Sequence, residues 1–119
     1  MDELDTVFIA VAAYFSVLSE PTRLKIMHAV CEAEQSVSQI VTATGATQTN
    51  VSRHLGLMYR HGVLARRREG NQIYYRVADE TMLEICRSVC NRIATTIDDR
   101  RLLKRQFLRL VPSRKKRAA

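Results

Sequence analysis

Apolar residues recur three and four positions apart at the start of the chain, as Leu4, Val7, Phe8, Val11, Ala12, Phe15 and Leu18. That spacing gathers them on one side of a helix and predicts an amphipathic helix over residues 3–18. Ser19-Glu20-Pro21-Thr22 breaks the pattern and restarts it, a capping residue followed by a proline tolerated in a first helical turn. A second helix carries Leu24, Met27, His28 and Cys31 along an inward stripe, widened by Ile26 and Val30, and ends near Glu34. On that stripe His28 reads as a core histidine. Val37, Ile40 and Val41 predict a short third helix from about Ser36 to Thr44, which Gly45 ends. The stretch after Thr47 has two unlike sides. Val51, Leu55 and Met58 form an apolar stripe, whereas Thr49, Ser52, Arg53, Gly56 and Arg60 are small, hydroxylated or cationic. Thr47 suits the N-cap of this fourth helix, and Gly62 its C-terminal stop.

Two short helices joined by a tight glycine turn form a helix-turn-helix, the second being the reading helix. After Gly62, apolar and aromatic residues flank the polar turn Glu69-Gly70-Asn71-Gln72, a hairpin signal. Its near strand holds Arg66, Arg67 and Arg68, so it reads as a basic wing beside the reading helix. Asp79 or a neighbour then caps a helix with Met82, Cys86, Val89, Cys90 and Ile93 on one stripe. Leu103, Phe107 and Leu110 continue helical spacing on a basic background until Pro112, and Ser113 to Ala119 reads as a disordered tail. The expected division is residues 1–97 as one domain and 98–119 as a basic helical extension and tail.

Charge sharpens this picture. The net charge is +7, yet residues 1–97 hold ten Lys/Arg against ten Asp/Glu, and residues 98–119 hold nine against two. Within the balanced part, Arg53, Arg60, Arg66, Arg67, Arg68 and Arg76 cluster with Glu69 alone opposing them. A local basic patch beside a helix rich in Gln, Thr and Ser points to nucleic acid: Gln and Asn can read adenine, Arg guanine, and hydroxyls phosphate. No run approaches the roughly 20 apolar residues of a membrane span, and the acidic start (Asp2, Glu3, Asp5) is unlike a signal peptide. The expectation is a cytoplasmic protein without a membrane partner.

The order of elements, together with Leu18-Ser19-Glu20-Pro21-Thr22-Arg23-Leu24, Thr47-Gln48-Thr49-Asn50-Val51-Ser52-Arg53-His54-Leu55 and Arg67-Arg68-Glu69-Gly70-Asn71-Gln72-Ile73-Tyr74-Tyr75, resembles the ArsR/SmtB family of winged-helix repressors from about Val7 to Ile93. The resemblance implies a mainly α (α+β) winged helix-turn-helix, four helices, a two-stranded β-wing and a fifth helix. It further implies a homodimer through the first and last core helices, on operator DNA of twofold symmetry, released by an inducer. By position it puts Gln48, Thr49, Ser52, Arg53 and His54 in or beside the major groove, and Arg66, Arg67, Arg68, Asn71 and Gln72 in the wing contacts.

The chain departs from two of the family's inducer patterns. Ser36-Val37-Ser38-Gln39-Ile40 lacks the cysteine motif of the helix before the reading helix, and residues 79–97 lack histidine, so a zinc or nickel site of that design is not expected. What remains is Cys31, Cys86 and Cys90, an odd number of thiols that argues against a disulfide framework. Cys86 and Cys90 lie i, i+4 on one helical face, and Cys31 is on the second helix, where persulfide- and redox-sensing members place a cysteine that faces the last helix. Cys31 stands about a turn later than theirs and Cys90 about a turn earlier, displacements that agree if the two helices are antiparallel. Three soft thiolates suit As(III) or Sb(III) first and Cd(II) or Pb(II) next. The alternatives are a redox or persulfide link from Cys31 to Cys86 or Cys90, or cysteines that pack as small hydrophobes. No phosphate loop, nucleophile elbow or carboxylate pair suggests an enzyme, and no organic cofactor is expected. A pure protein-interaction module stays open.

Overall fold

The computed structural model describes residues 2–109, with the side chains of residues 2–97. The chain divides into two compact units, Met1–Leu83 and a second that begins at Glu84. The dividing point therefore falls inside the last helix, ahead of residue 97. The tail expected from Pro112 onwards lies outside the described residues.

Each helix begins where a side chain can accept an otherwise orphaned backbone N–H. α1 (Glu3–Ser16) follows Asp2, whose carboxylate accepts from the Asp5 N–H at 2.8 Å. α2 (Pro21–Val30) has Glu20 as its cap, accepting from the Arg23 N–H at 3.1 Å, with the proline in the first turn. The short strand β1 (Gln35–Ser36) leads into α3 (Val37–Thr44) through a reciprocal capping box between Ser36 and Gln39. Gly45 stops α3 at φ 72°, a left-handed geometry that a Cβ would strain. Thr47 caps α4 (Gln48–Arg60), accepting from the Asn50 N–H at 3.1 Å. α3 and α4 are the helix-turn-helix.

Strands β2 (Leu64–Glu69) and β3 (Gln72–Val77) form the wing, paired antiparallel from Leu64↔Val77 to Glu69↔Gln72. That register leaves Gly70-Asn71 as a two-residue turn, with Gly70 at φ 62°, the sign that matches the twist of a hairpin. The sheet has three strands, in the order β1-β3-β2, because Gln35 and Ser36 pair with Tyr75 and Tyr74. The two-stranded wing read from the sequence is thus extended by a strand too short to carry an alternation signal. α5 (Glu80–Arg109) starts at Asp79, whose carboxylate accepts from the Met82 N–H at 3.0 Å, and runs unbroken past residue 97.

The first unit closes on Ile26, Met27, Val30, Ile40, Val51, Leu55, Met58, Val63, Leu64, Tyr75, Met82 and Leu83. Full burial of such side chains contributes about 1.5–3 kcal/mol each. α2 buries Ile26, Met27 and Val30, whereas Leu24 and Cys31 are half-buried and His28 is exposed. The inward stripe of α2 is therefore turned from the expected one: His28 is not a core histidine, and Cys31 sits at the C-cap instead of on a buried stripe. The face holding Ile26 and Val30 covers more apolar surface than one holding His28 and Cys31, which decides the rotation. α1 buries nothing within the single chain, and Phe8 remains 61% exposed. Tyr14 ties α1 to the rest of its unit, its hydroxyl donating to Asp79 Oδ2 at 2.8 Å. Burial, then that bond, push its phenol up to about 12. Among the described residues no single helix is long and apolar enough to cross a membrane.

Candidate nucleic-acid interface

A helix turns about 100° per residue, so seating Val51, Leu55 and Met58 inward swings a different set out. Gln48, Thr49, Ser52, Arg53 and Arg60 are all exposed on α4, as the two-sided pattern predicts. The Arg53 guanidinium donates to Asn50 Oδ1, which orients it along the helix surface. Gly56 is half-buried, and an added Cβ would meet the mobile tip of Arg60 at 3.2 Å.

His54 departs from the expectation. It is 3% exposed and faces the protein, so it does not join the groove-facing residues. Nδ1 lies 3.1 Å from an Arg23 guanidinium nitrogen and Nε2 lies 3.4 Å from Glu20 Oε2. Its position one residue before Leu55 places it on the shoulder of the buried stripe, where the cap of α2 supplies polar partners. Burial lowers the imidazole pKa below 6.5; Glu20 opposes this, while Arg53 and Arg23 reinforce it. Burial raises Glu20, but the Arg23 N–H, the charge His54 carries once protonated, the Thr22 N–H and the Arg23 cation outweigh it and hold the carboxyl below 4.5.

The wing arginines are all exposed but not equivalent. Arg66 stacks over the Tyr59 ring of α4, 3.9 Å from its centroid, and points an N–H at the Tyr75 hydroxyl at 3.5 Å. Alternation along β2 sends Arg67 to the opposite face. There it stacks on Tyr74 and its Nε donates to both Glu34 oxygens at 3.0 and 3.1 Å, while Glu69 takes a further contact. The Arg67 hydrogen bonds hold the Glu34 carboxyl below its ordinary range, and the two carboxylates raise Arg67 in return. Arg68 donates to the Gly70 carbonyl at 3.3 Å, and neither it nor Arg66 has a carboxylate partner among the described residues. Asn71 and Gln72 are exposed at the wing tip. Sequence reading missed the Glu34–Arg67 pair and the Glu20–Arg23–His54 cluster, since the partners lie 31 to 34 positions apart and nothing local announces them.

The thiols fall in both units. In the first, Cys31 lies half-exposed on an open cleft of about 350 Å³ shared with His28, Ala29, Glu32, Ala33 and Gln35, its Sγ–H donating to the His28 carbonyl at 3.1 Å. In the second, the sulfurs of Cys86 and Cys90 are 3.9 Å apart on consecutive turns of α5. Two thiolates on one tetrahedral ion at a metal–sulfur distance of about 2.3 Å stand about 3.8 Å apart, so this pair fits a soft ion. Among the described residues of either unit, no group of three His, Cys, Asp or Glu gathers in the manner of a metal site.

Residues 20–65 match the profile of a family described as "Bacterial regulatory protein, arsR family". An uncharacterised HTH-type transcriptional regulator of Mycobacterium tuberculosis is 31% identical over 90 residues, 75% of this chain and 79% of the relative. A probable mercury resistance operon repressor of Streptomyces lividans is 34% identical over 88 residues, 70% of each chain. Among solved structures, the homodimeric winged helix-turn-helix DNA-binding domain of a possible ArsR-family regulator from Mycobacterium bovis superposes with a TM-score of 0.70 at 28% identity, covering 82% of this chain and 91% of that one. The antimony-specific transcriptional repressor AntR gives 0.68 at 28% identity, covering 73% and 79%.

Proposed function

Because the chain belongs to the ArsR family of bacterial regulatory proteins, we propose that it is a homodimeric repressor that binds operator DNA of twofold symmetry and leaves it when an inducer engages its cysteines. The observation that carries the DNA-binding half is the exposed row Gln48, Thr49, Ser52 and Arg53 on α4, flanked by the wing cations Arg66 and Arg68. The helix presents hydrogen-bonding side chains to base edges, and the wing adds charge for the adjoining phosphates. Asn71 and Gln72 extend the contact from the wing tip, and Arg67 contributes through whatever charge Glu34 and Glu69 leave unneutralised. Dimerisation draws support from the apolar residues that the single chain leaves in water, Leu4, Val7, Phe8, Val11 and Phe15 on α1 and Val89, Ile93 and Ile97 on α5. The homodimeric relative from Mycobacterium bovis points the same way.

For the inducer, the reading is a three-thiolate site of Cys31, Cys86 and Cys90 that takes As(III) or Sb(III), with Cd(II) or Pb(II) next. The soft, all-sulfur donor set, the 3.9 Å spacing of Cys86 and Cys90, and the likeness to an antimony-specific repressor support it. Each bound thiol must shed its proton, so loading releases protons and weakens in acid. The test titrates reduced protein with As(III), Sb(III) and Cd(II) while following thiolate absorption and operator binding. Release by a metalloid that is lost in each of Cys31→Ser, Cys86→Ser and Cys90→Ser supports the site. A second reading, a link from Cys31 to Cys86 or Cys90 through a disulfide or polysulfide, is favoured by the outward exposure of Cys90 and the half-exposure of Cys31. Release by oxidant or persulfide alone would establish it and remove the metalloid site.

A further inference from the structure

Arg23 joins three elements of the first unit. Its Nε donates to the Val17 carbonyl at 2.7 Å and one guanidinium nitrogen to the Ser16 carbonyl at 3.2 Å, which also accepts from Ser19, so the arginine is tied to the end of α1. The other guanidinium nitrogen reaches His54 Nδ1 on α4 at 3.1 Å. Arginine can only donate, so Nδ1 must accept and the ring proton sits on Nε2, facing Glu20. The ring is thereby held as one neutral tautomer, its side chain only 4% exposed. A second ring proton would turn Nδ1 into a donor aimed at a donor, and set an imidazolium against the cations of Arg23 and the neighbouring Arg53, with Glu20 alone offsetting them.

We propose that Arg23 and neutral His54 form a positioning lock for DNA binding, which fixes the reading helix α4 to the end of α1 and α2 and which acid opens without any thiol chemistry. The inference rests on the DNA-binding reading above. Neither residue touches DNA. Each acts on the contacts of Gln48, Thr49, Ser52 and Arg53 by setting how α4 lies on the body that carries it. The burial that lowers the imidazole pKa works in the same direction, keeping the lock closed at neutral pH.

The test measures affinity for a duplex selected in vitro by the wild-type protein, at about pH 7.5 and about pH 5.5. It compares wild type with His54→Gln and Arg23→Gln. In His54→Gln the amide oxygen can accept from Arg23 and the amide nitrogen can donate to Glu20, with no proton to gain. The wild type should lose at least about threefold in affinity on acidification, while His54→Gln should lose less than about twofold. His28 and His61 are present in both proteins, so the difference between the two isolates His54. Arg23→Gln should bind weakly already at the higher pH; should it fail to fold, the His54→Gln comparison decides alone. Equal acid loss in wild type and His54→Gln, or no loss in wild type, overturns the lock and leaves the DNA-binding reading standing. Failure of wild type to select or bind any duplex overturns both.

Discussion

At the scale of single residues, His54 and Arg67 show how a buried or neutralised charge changes what a side chain can do. His54 titrates lower in the folded protein than in the unfolded chain. Between the two pKa values the unfolded state binds the proton that the folded state refuses, so stability is complete above the ordinary 6.5 and declines as pH falls through the lowered value. Glu20, also lowered, extends the loss to below its ordinary 4.5, because its folded carboxylate resists the proton its unfolded form accepts. Urea midpoints should therefore fall from pH 7 towards pH 5, and the slope between about 6.5 and 5 should flatten in His54→Gln. An unchanged slope would assign the acid loss to other groups.

At the scale of elements, the wing separates its cations by face. Alternation along β2 aims Arg67 at Glu34 and Glu69 while Arg66 and Arg68 have no such partner among the described residues. Counter-ion release on binding scales with the phosphates actually neutralised, about 0.9 in the salt slope per contact. Arg68→Ala should accordingly reduce the slope of log affinity against log salt by about one, and Arg67→Ala by clearly less. Anisotropy titrations at several salt concentrations check this; equal reductions would mean that Arg67 leaves its carboxylates for phosphate on binding. In α4, one apolar stripe suffices to orient the rest. Seating Val51, Leu55 and Met58 sets the outward direction of Gln48, Thr49, Ser52 and Arg53 without any further instruction.

At the scale of the whole molecule, the apolar surface left in water is the property that the single chain does not resolve. Val7, Phe8, Val11 and Phe15 lie on a helix that buries no side chain within its own chain. Such a surface on a chain of 119 residues marks a partner site, which the proposed function assigns to a second copy. Phe8→Glu should place charge in that interface and convert dimer to monomer, with operator affinity lowered by at least about tenfold since one protomer then holds one half-site. Sedimentation alongside DNA titration measures both. A dimer that persists with full affinity would move the interface off α1.

The helix-turn-helix, the wing and the capping positions were legible in the chain because each is written in neighbouring residues: a period of 3.6 or 2, a hydroxyl or carboxyl before a helix, a glycine where φ turns positive. The outward face of α4 followed from its stripe for the same reason, and with it the exposure of Gln48, Thr49, Ser52 and Arg53. Which way α2 rolls, whether His54 faces water or Glu20, and which arginine of the wing is neutralised were decided only in three dimensions. Those outcomes depend on pairs far apart in the chain, such as Glu34 with Arg67 and Arg23 with His54. Burial is a competition among faces for a shared core, and no single segment carries the terms of that competition in its own sequence.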